Sequence, residues 1–159
     1  MVAMSQTNKD FEMGALNTFP KILQHNAENW PNAIAMREKE FGIWNEFTWA
    51  DYNDRVKWLS LGLLDMGVSQ GDAIALLGDN RPEWIWGEVA AHAMRCYSIG
   101  IYQDSMHEEV VYLLESSGAT VVVAENEEQC DKLLELADDI PNVKFIVYCD
   151  PRGMRKYSD

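Results

Sequence analysis

The segment from Gly71 to Ser105, GDAIALLGDNRPEWIWGEVAAHAMRCYSIGIYQDS, constrains the fold more than any other part of the chain. Ala73-Ile74-Ala75-Leu76-Leu77 is an unbroken apolar run, the pattern of a parallel strand covered on both faces. Gly78-Asp79-Asn80-Arg81-Pro82 stops that strand and starts a helix. Asn80 is the expected N-cap, and Pro82 falls in the first turn, where its missing N–H costs nothing. The helix carries Trp84, Ile85, Val89, His92 and Ala93, and a second strand follows from Tyr97 to Tyr102. A strand–helix–strand unit of this size is a right-handed crossover. In open sheets built this way ligands gather beyond the carboxyl ends of the strands. The turns at those ends, Gly78–Arg81 and Gln103–Ser105, are therefore the first places to look for a functional site.

Before this unit, Thr18-Phe19-Pro20 opens a short helix through about Asn29, with Thr18 as N-cap and Ile22 and Leu23 facing inward. Ala33 to Lys39 and Ile43 to Thr48 are two short runs separated by Glu40-Phe41-Gly42, the pattern of a hairpin. Thr48 caps a helix in which Trp49, Tyr52, Val56, Leu59, Leu63 and Met66 form one apolar stripe, closed by Gly67. After the central unit, Ser105-Met106-His107-Glu108 fits a capping box for a helix carrying Val110, Val111, Leu113 and Leu114 and ending at Gly118. Thr120 to Ala124 is a third buried strand. Asn126 and Gln129 cap a helix through about Asp139, Pro141-Asn142 breaks it, and Lys144 to Cys149 is a fourth strand. The alternation from Ala73 onward predicts an α/β fold: a largely parallel open sheet with helices on both faces, preceded by the hairpin. Residues 18–159 form one domain, and residues 1–17 are expected to be a disordered tail.

Charge and cysteine usage exclude several classes of function. A formal net charge of −13 argues against a nucleic-acid surface and against binding to an anionic membrane face. Three widely spaced cysteines, Cys96, Cys130 and Cys149, suggest a reducing compartment rather than a disulfide framework. The N-terminal residues contain no apolar segment of signal-peptide or membrane-span length, so no transmembrane segment is expected.

A search for chemistry among the residues finds few candidates. Neither GxGxxG nor GxxxxGK[ST] occurs. The Gly78 turn leads into a helix N-terminus, which could hold an anion, but the carboxylate of Asp79 would repel a phosphate there. Glu88, His92 and Cys96 share one helix face at spacings of four, part of a metal-site pattern that lacks further ligands. A Glu–His pair beside a half-buried cysteine explains them better. His107 reads as a solvated first-turn residue and His25 as a residue on the polar side of its helix. No Ser, Cys or Thr stands in a nucleophile context such as G-x-S-x-G. Trp49 and Trp84 lie at helix starts on apolar faces, where core packing is their expected role. No catalytic, cofactor-binding or metal-binding residue is assigned.

The stretches FTWADYNDRVKWLSLGLLDMGVSQGD, GDNRPEW, GIYQDS with EEVVYLLESSGA, and VYCDPRGMRKY resemble the N-terminal region of an AMP-forming acyl-CoA synthetase. Within the adenylate-forming superfamily they are most similar to bacterial long-chain fatty acid–CoA ligases. The resemblance runs from Thr18 to Tyr157. It implies a parent reaction in which ATP and a fatty acid give an acyl-adenylate and pyrophosphate, and CoA then gives acyl-CoA and AMP. It also implies Mg²⁺, a layered N-terminal domain with a mobile C-terminal lid, and a cytoplasmic location, with peripheral attachment to the inner membrane the one membrane contact allowed.

Such enzymes carry their Ser/Thr/Gly-rich phosphate loop, nucleotide-binding motifs and lid lysine downstream of the region matched. None is found here, so no catalytic residue carries over, and neither ATP, Mg²⁺ nor CoA is expected to bind this chain alone. The expected partner is the remainder of the parent synthetase, and self-association through an exposed sheet edge would follow in its absence. Two other classes fit the residues: a noncatalytic α/β interaction module (or truncated adenylate-forming paralogue), and an unrelated α/β enzyme whose turns bind a small ligand.

Overall fold

The structure is a computed structural model that describes residues 14–157. In chain order the elements are α1 (Phe19–Asn29), β1 (Ile34–Glu40), β2 (Ile43–Thr48), α2 (Trp49–Asp65), β3 (Ala73–Gly78), α3 (Pro82–Ala93), β4 (Tyr97–Tyr102), α4 (His107–Ser117), β5 (Val121–Ala124), α5 (Glu127–Glu135) and β6 (Phe145–Tyr148). A 3-10 turn, Met154–Lys156, follows. Of the tail expected over residues 1–17, residues 1–13 lie outside the described part of the chain. Among the described residues no helix is long and apolar enough to cross a membrane.

Four strands form one sheet in the order β4-β3-β5-β6, parallel throughout. The Ala73 strand is central, and every one of its residues is buried. Its alternation explains why helices cover both faces, since successive side chains of a strand point to opposite sides. Ile74 and Leu76, with Val121 and Val123, face Val56 and Leu63 of α2 and Val89 and Ala90 of α3. Ala75 and Leu77, with Ile101 and Val122, face Val110 and Leu114 of α4 and Leu133 of α5. The hairpin β1–β2 is a separate antiparallel pair. Its turn residues Phe41 and Gly42 have φ of 48° and 82°, the left-handed conformation that a two-residue hairpin turn of the I′ kind demands.

Local signals set most boundaries. Thr48 and Asp51 form the capping box of α2: the Thr48 N–H donates to Asp51 Oδ2 at 2.9 Å, and the Asp51 N–H to Thr48 Oγ1 at 3.2 Å. Along that helix Tyr52, Val56 and Leu63 are buried, and Trp49, Leu59 and Met66 pack half-buried on the same core. Asn126 accepts the Gln129 N–H at 3.2 Å and so caps α5. Thr18 occupies the N-cap of α1, although its side chain makes no capping bond; Leu23 is buried and Ile22 half-buried.

Strands β1, β5 and β6 are offset from their expected ends by a residue, and three helix boundaries differ for identifiable reasons. Arg81, not Asn80, is the N-cap of α3, because Pro82 at the first helical position forces the residue before it into extended backbone. The Asn80 N–H donates instead to Asp79 Oδ1 at 2.8 Å. The N-cap of α4 is Met106 rather than Ser105, so the carboxylate that accepts the N-cap N–H, at 3.1 Å, belongs to Glu109 and not Glu108. Helix α5 stops at Glu135 instead of continuing to Asp139. The chain beyond tightens into i→i−3 bonds at Ala137 and Asp139. Asp138 and Asp139 would add negative charge to a helix C-terminus, where the macrodipole disfavours it.

Candidate functional site

The carboxyl ends of β3, β5 and β6 converge on a cavity of about 360 Å³. Its apolar lining comes from Leu76, Leu77, Val123 and Trp84, and its charged rim from Glu40, Asp79, Arg81, Glu83, Glu125, Asp150 and Arg152. The residue after each of these strand ends, or the one beyond it, supplies the rim. Gly78 permits the approach of β3 to the loop after β5, since a Cβ there would lie 2.6 Å from the Cβ of Glu125. Glu125 Oε2 then accepts the Asp79 N–H at 2.6 Å.

Arg81 is the hub of the rim. Its Nε donates to Glu38 Oε1 of β1 at 2.8 Å. The same guanidinium lies 3.7 Å from Glu40 and from Glu125, and 3.9 Å from Glu83. Burial works against its charge, but the hydrogen bond and field of Glu38, with Glu83 and Glu125, outweigh burial and raise its pKa. Arg152 donates from Nε to Asp150 Oδ2 at 2.7 Å and from its backbone N–H to Asp150 Oδ1 at 2.9 Å. These bonds hold the Asp150 carboxyl below the usual carboxylate range. Cys149, half-buried in the cavity wall, has its thiol pushed up to about 12, first by burial and then by the charges of Glu83 and Glu125. Such a thiol is protonated at neutral pH and reacts only slowly there as a nucleophile.

Five rim carboxylates face two guanidinium groups. Their excess negative charge opposes a triphosphate, and Glu40, Glu125 and Asp150 are already paired with arginine. MgATP therefore does not fit this rim as it stands. Among the described residues no group of three or more His, Cys, Asp and Glu is arranged to hold a metal ion.

Of the two turns singled out from the sequence, Gly78–Arg81 lines the cavity with Gly78, Asp79 and Arg81. The Gln103–Ser105 turn is not part of it; Lys132 Nζ donates to the carbonyls of Gln103 at 2.6 Å and Ser105 at 3.2 Å. His92 pairs through Nε2 with Ser98 Oγ at 3.0 Å, under a stacked Phe19 ring, while Cys96 is buried and directs its Sγ to the Ser69 carbonyl at 3.2 Å. Burial, then Asp72, raises the Cys96 thiol pKa. The expected Glu88–His92 pair beside a half-buried Cys96 does not form: α3 ends at Ala93, so Cys96 falls beyond it, buried, and His92 turns to Ser98 instead of Glu88. His107 lies 3.9 Å from Glu135, and His25 meets Trp30 edge-on. Trp49 stacks on Tyr52, and Trp84 packs on the core while also lining the cavity.

Sequence reasoning missed Glu40, Glu125, Cys149, Asp150 and Arg152. A signal was available: Glu125 and Cys149-Asp150 follow β5 and β6 as Asp79 follows β3, so aligning the strand ends puts them on one rim.

Residues 23–158 match the family described as AMP-binding enzyme. The long-chain-fatty-acid–CoA ligase ACSBG2 of Xenopus laevis is 24% identical over 130 residues, which cover 82% of this chain and 18% of that protein. FadD15 of Mycobacterium bovis, also a long-chain-fatty-acid–CoA ligase, is 25% identical over 131 residues, 82% of this chain and 22% of its own length. The chain therefore spans about a fifth of the curated relatives it matches. Among solved structures, the N-terminal domain of FACL13 from Mycobacterium tuberculosis is similar with a TM-score of 0.74 at 23% identity, over 86% of this chain and 35% of that one. The anthranilate CoA ligase AuaEII in complex with anthranoyl-AMP gives a TM-score of 0.75 at 20% identity, over 82% and 24%. These two likenesses concern the fold: a parallel sheet between helices, as in CoA ligases. The family match, extending over nearly all the described residues, shows that the chain belongs to the AMP-binding enzyme family.

Proposed function

We propose that this chain is the N-terminal part of an AMP-forming long-chain fatty acid–CoA ligase, with residues 1–17 a tail and residues 18–159 a partial domain. The observation that carries the reading is the family match over residues 23–158, joined to relatives named as long-chain-fatty-acid–CoA ligases. The parent converts ATP, a fatty acid and CoA to acyl-CoA, AMP and pyrophosphate. ATP, Mg²⁺ and CoA belong to that parent, and the remainder of the synthetase is the partner of this chain. A cytoplasmic place for the parent suits three cysteines that are all free thiols.

The chain by itself is inactive in this reading. Attack of a carboxylate on the α-phosphate brings two anions together, so an active site must supply positive charge and oriented donors. The rim at the carboxyl ends has the opposite balance, and loss of even one oriented donor costs ~10²–10³ in rate. The test is fatty-acid-dependent exchange of labelled pyrophosphate into ATP by the purified chain. The expected result is no exchange above background with oleate or palmitate. Exchange that rises with either acid and disappears when Mg²⁺ is chelated would overturn the assignment of inactivity and place an active site within these residues.

A further inference from the structure

The hairpin is attached to the rest of the molecule in two different ways. At its base Ala35, Met36 and Phe47 pack against the core, and Phe47 meets the Trp86 ring edge-on at 5.3 Å. Toward the turn the attachment becomes ionic. Glu38 holds Arg81 at 2.8 Å, and Glu40 lies 3.7 Å from Arg81 and 3.7 Å from Arg152. The Arg152 guanidinium also sits 5.9 Å from the centre of the Phe41 ring. Apolar burial contributes little there, because Phe41, Ile43 and Trp44 are 85%, 68% and 60% exposed. Yet Glu40 and Phe41 form part of the cavity wall. The Glu38 and Arg81 side chains are only 16% and 29% exposed, so their pair is better shielded than a surface ion pair and correspondingly stronger.

We propose that the Phe41–Gly42 turn is a strap over the carboxyl ends of β3, β5 and β6, hinged at the apolar base of the hairpin. Arg81 latches it through Glu38, and Arg152 supplies a second, weaker latch through Glu40. The strap does not depend on the ligase reading. It controls the size of molecule that reaches the cavity: closed, it admits small solutes, and unlatched, it admits bulky ones. Charge rather than packing holds it, so removing a charge opens it without dissolving the core.

Cys149 is a built-in reporter, since it lines the cavity and is half-buried, whereas Cys96 and Cys130 are 6% and 2% exposed. The experiment follows alkylation of Cys149 in the full chain by peptide mass spectrometry at about pH 8.5. A small reagent, iodoacetamide, is compared with a bulky one, fluorescein maleimide. Glu38→Gln is expected to speed the bulky reagent about tenfold and the small one much less, a ratio in keeping with loss of a charged hydrogen bond. Arg37→Gln, which breaks the exposed Arg37–Glu46 pair on the same hairpin, is expected to change neither rate. A shift in the ionisation of the thiol would speed both reagents alike, so equal acceleration overturns the strap, as does an unchanged bulky rate. Labelling of all three cysteines in Glu38→Gln would mean that this variant does not fold. The Arg152→Gln variant, altered at a side chain 62% exposed, then decides by the same comparison, with about threefold expected for the bulky reagent.

Discussion

Arg81 and Gly78 show how single residues build the carboxyl-end rim. Arg81 offsets carboxylates from β1, α3 and the loop after β5, groups that would repel one another without it. Gly78 lets two backbone segments meet: a methyl group there would press on the Cβ of Glu125 at 2.6 Å, which cannot swing aside as a side-chain tip could. Gly78→Ala is therefore expected to destabilise the fold by ~1–3 kcal/mol, the range for overpacking, and to weaken the bond from the Asp79 N–H to Glu125. Gly62, within α2, has nothing within 4 Å of its would-be Cβ. Gly62→Ala is expected to stabilise by up to ~1 kcal/mol through helix propensity. Midpoints of urea unfolding, compared at equal slope, check both directions; equal effects at the two glycines would show that the close approach at Gly78 carries no energetic weight.

Among the elements, β4 is one of the two edges of the sheet, β6 being the other. Strand β4 pairs with β3 on one side only, and Ile101 alone of its six residues is buried. Tyr97 and Tyr102 are 70% and 75% exposed. An unpaired row of N–H and C=O groups flanked by large aromatic side chains is a template for another strand. The isolated chain is expected to self-associate through this edge as its concentration rises, despite its net charge of −13. Sedimentation velocity over a range of concentrations tests this, with Tyr97→Lys combined with Tyr102→Lys expected to restore the monomer by placing charge along the edge. A wild-type chain that stays monomeric at every concentration would mean that β4 is already blunted.

At the scale of the whole molecule, burial of titratable groups, Cys149 and Tyr52 foremost, ties stability to alkaline pH. Burial raises the Cys149 thiol from an ordinary value of 9.0 to about 12, and burial followed by Glu88 raises the Tyr52 phenol from 10.0 to about 12. Between those limits the folded chain binds more protons than the unfolded chain, so unfolding is favoured as pH rises. The contribution is complete below pH 9.0 and is lost on the way to about 12. The thermal midpoint is expected to fall over this window, and Cys149→Ala to shrink the part that begins near 9.0, to which the raised Cys96 and Cys130 thiols still contribute, while leaving the later part due to Tyr52. A wild-type midpoint that is flat through the window would show that neither group is desolvated in the folded state.

The element order, the burial of Ala73–Gly78 on both faces and the N-cap at Thr48 were legible in the sequence by itself, because apolar periodicity and capping act within a turn or two of the chain. The family relationship was legible for a similar reason, since contiguous stretches such as GDNRPEW carry it. Boundaries shifted by a residue at Arg81 and Met106, where the steric demand of Pro82 and the reach of the Glu109 carboxylate outweighed the residue types usual at caps. The rim was decided by tertiary structure. Asp79 and Glu125 are 46 residues apart, and Arg81 and Glu38 are 43 apart. Charged residues at strand ends obey no period, so only the strand order β4-β3-β5-β6 and the seating of the hairpin on α2 and α3 place them around one cavity.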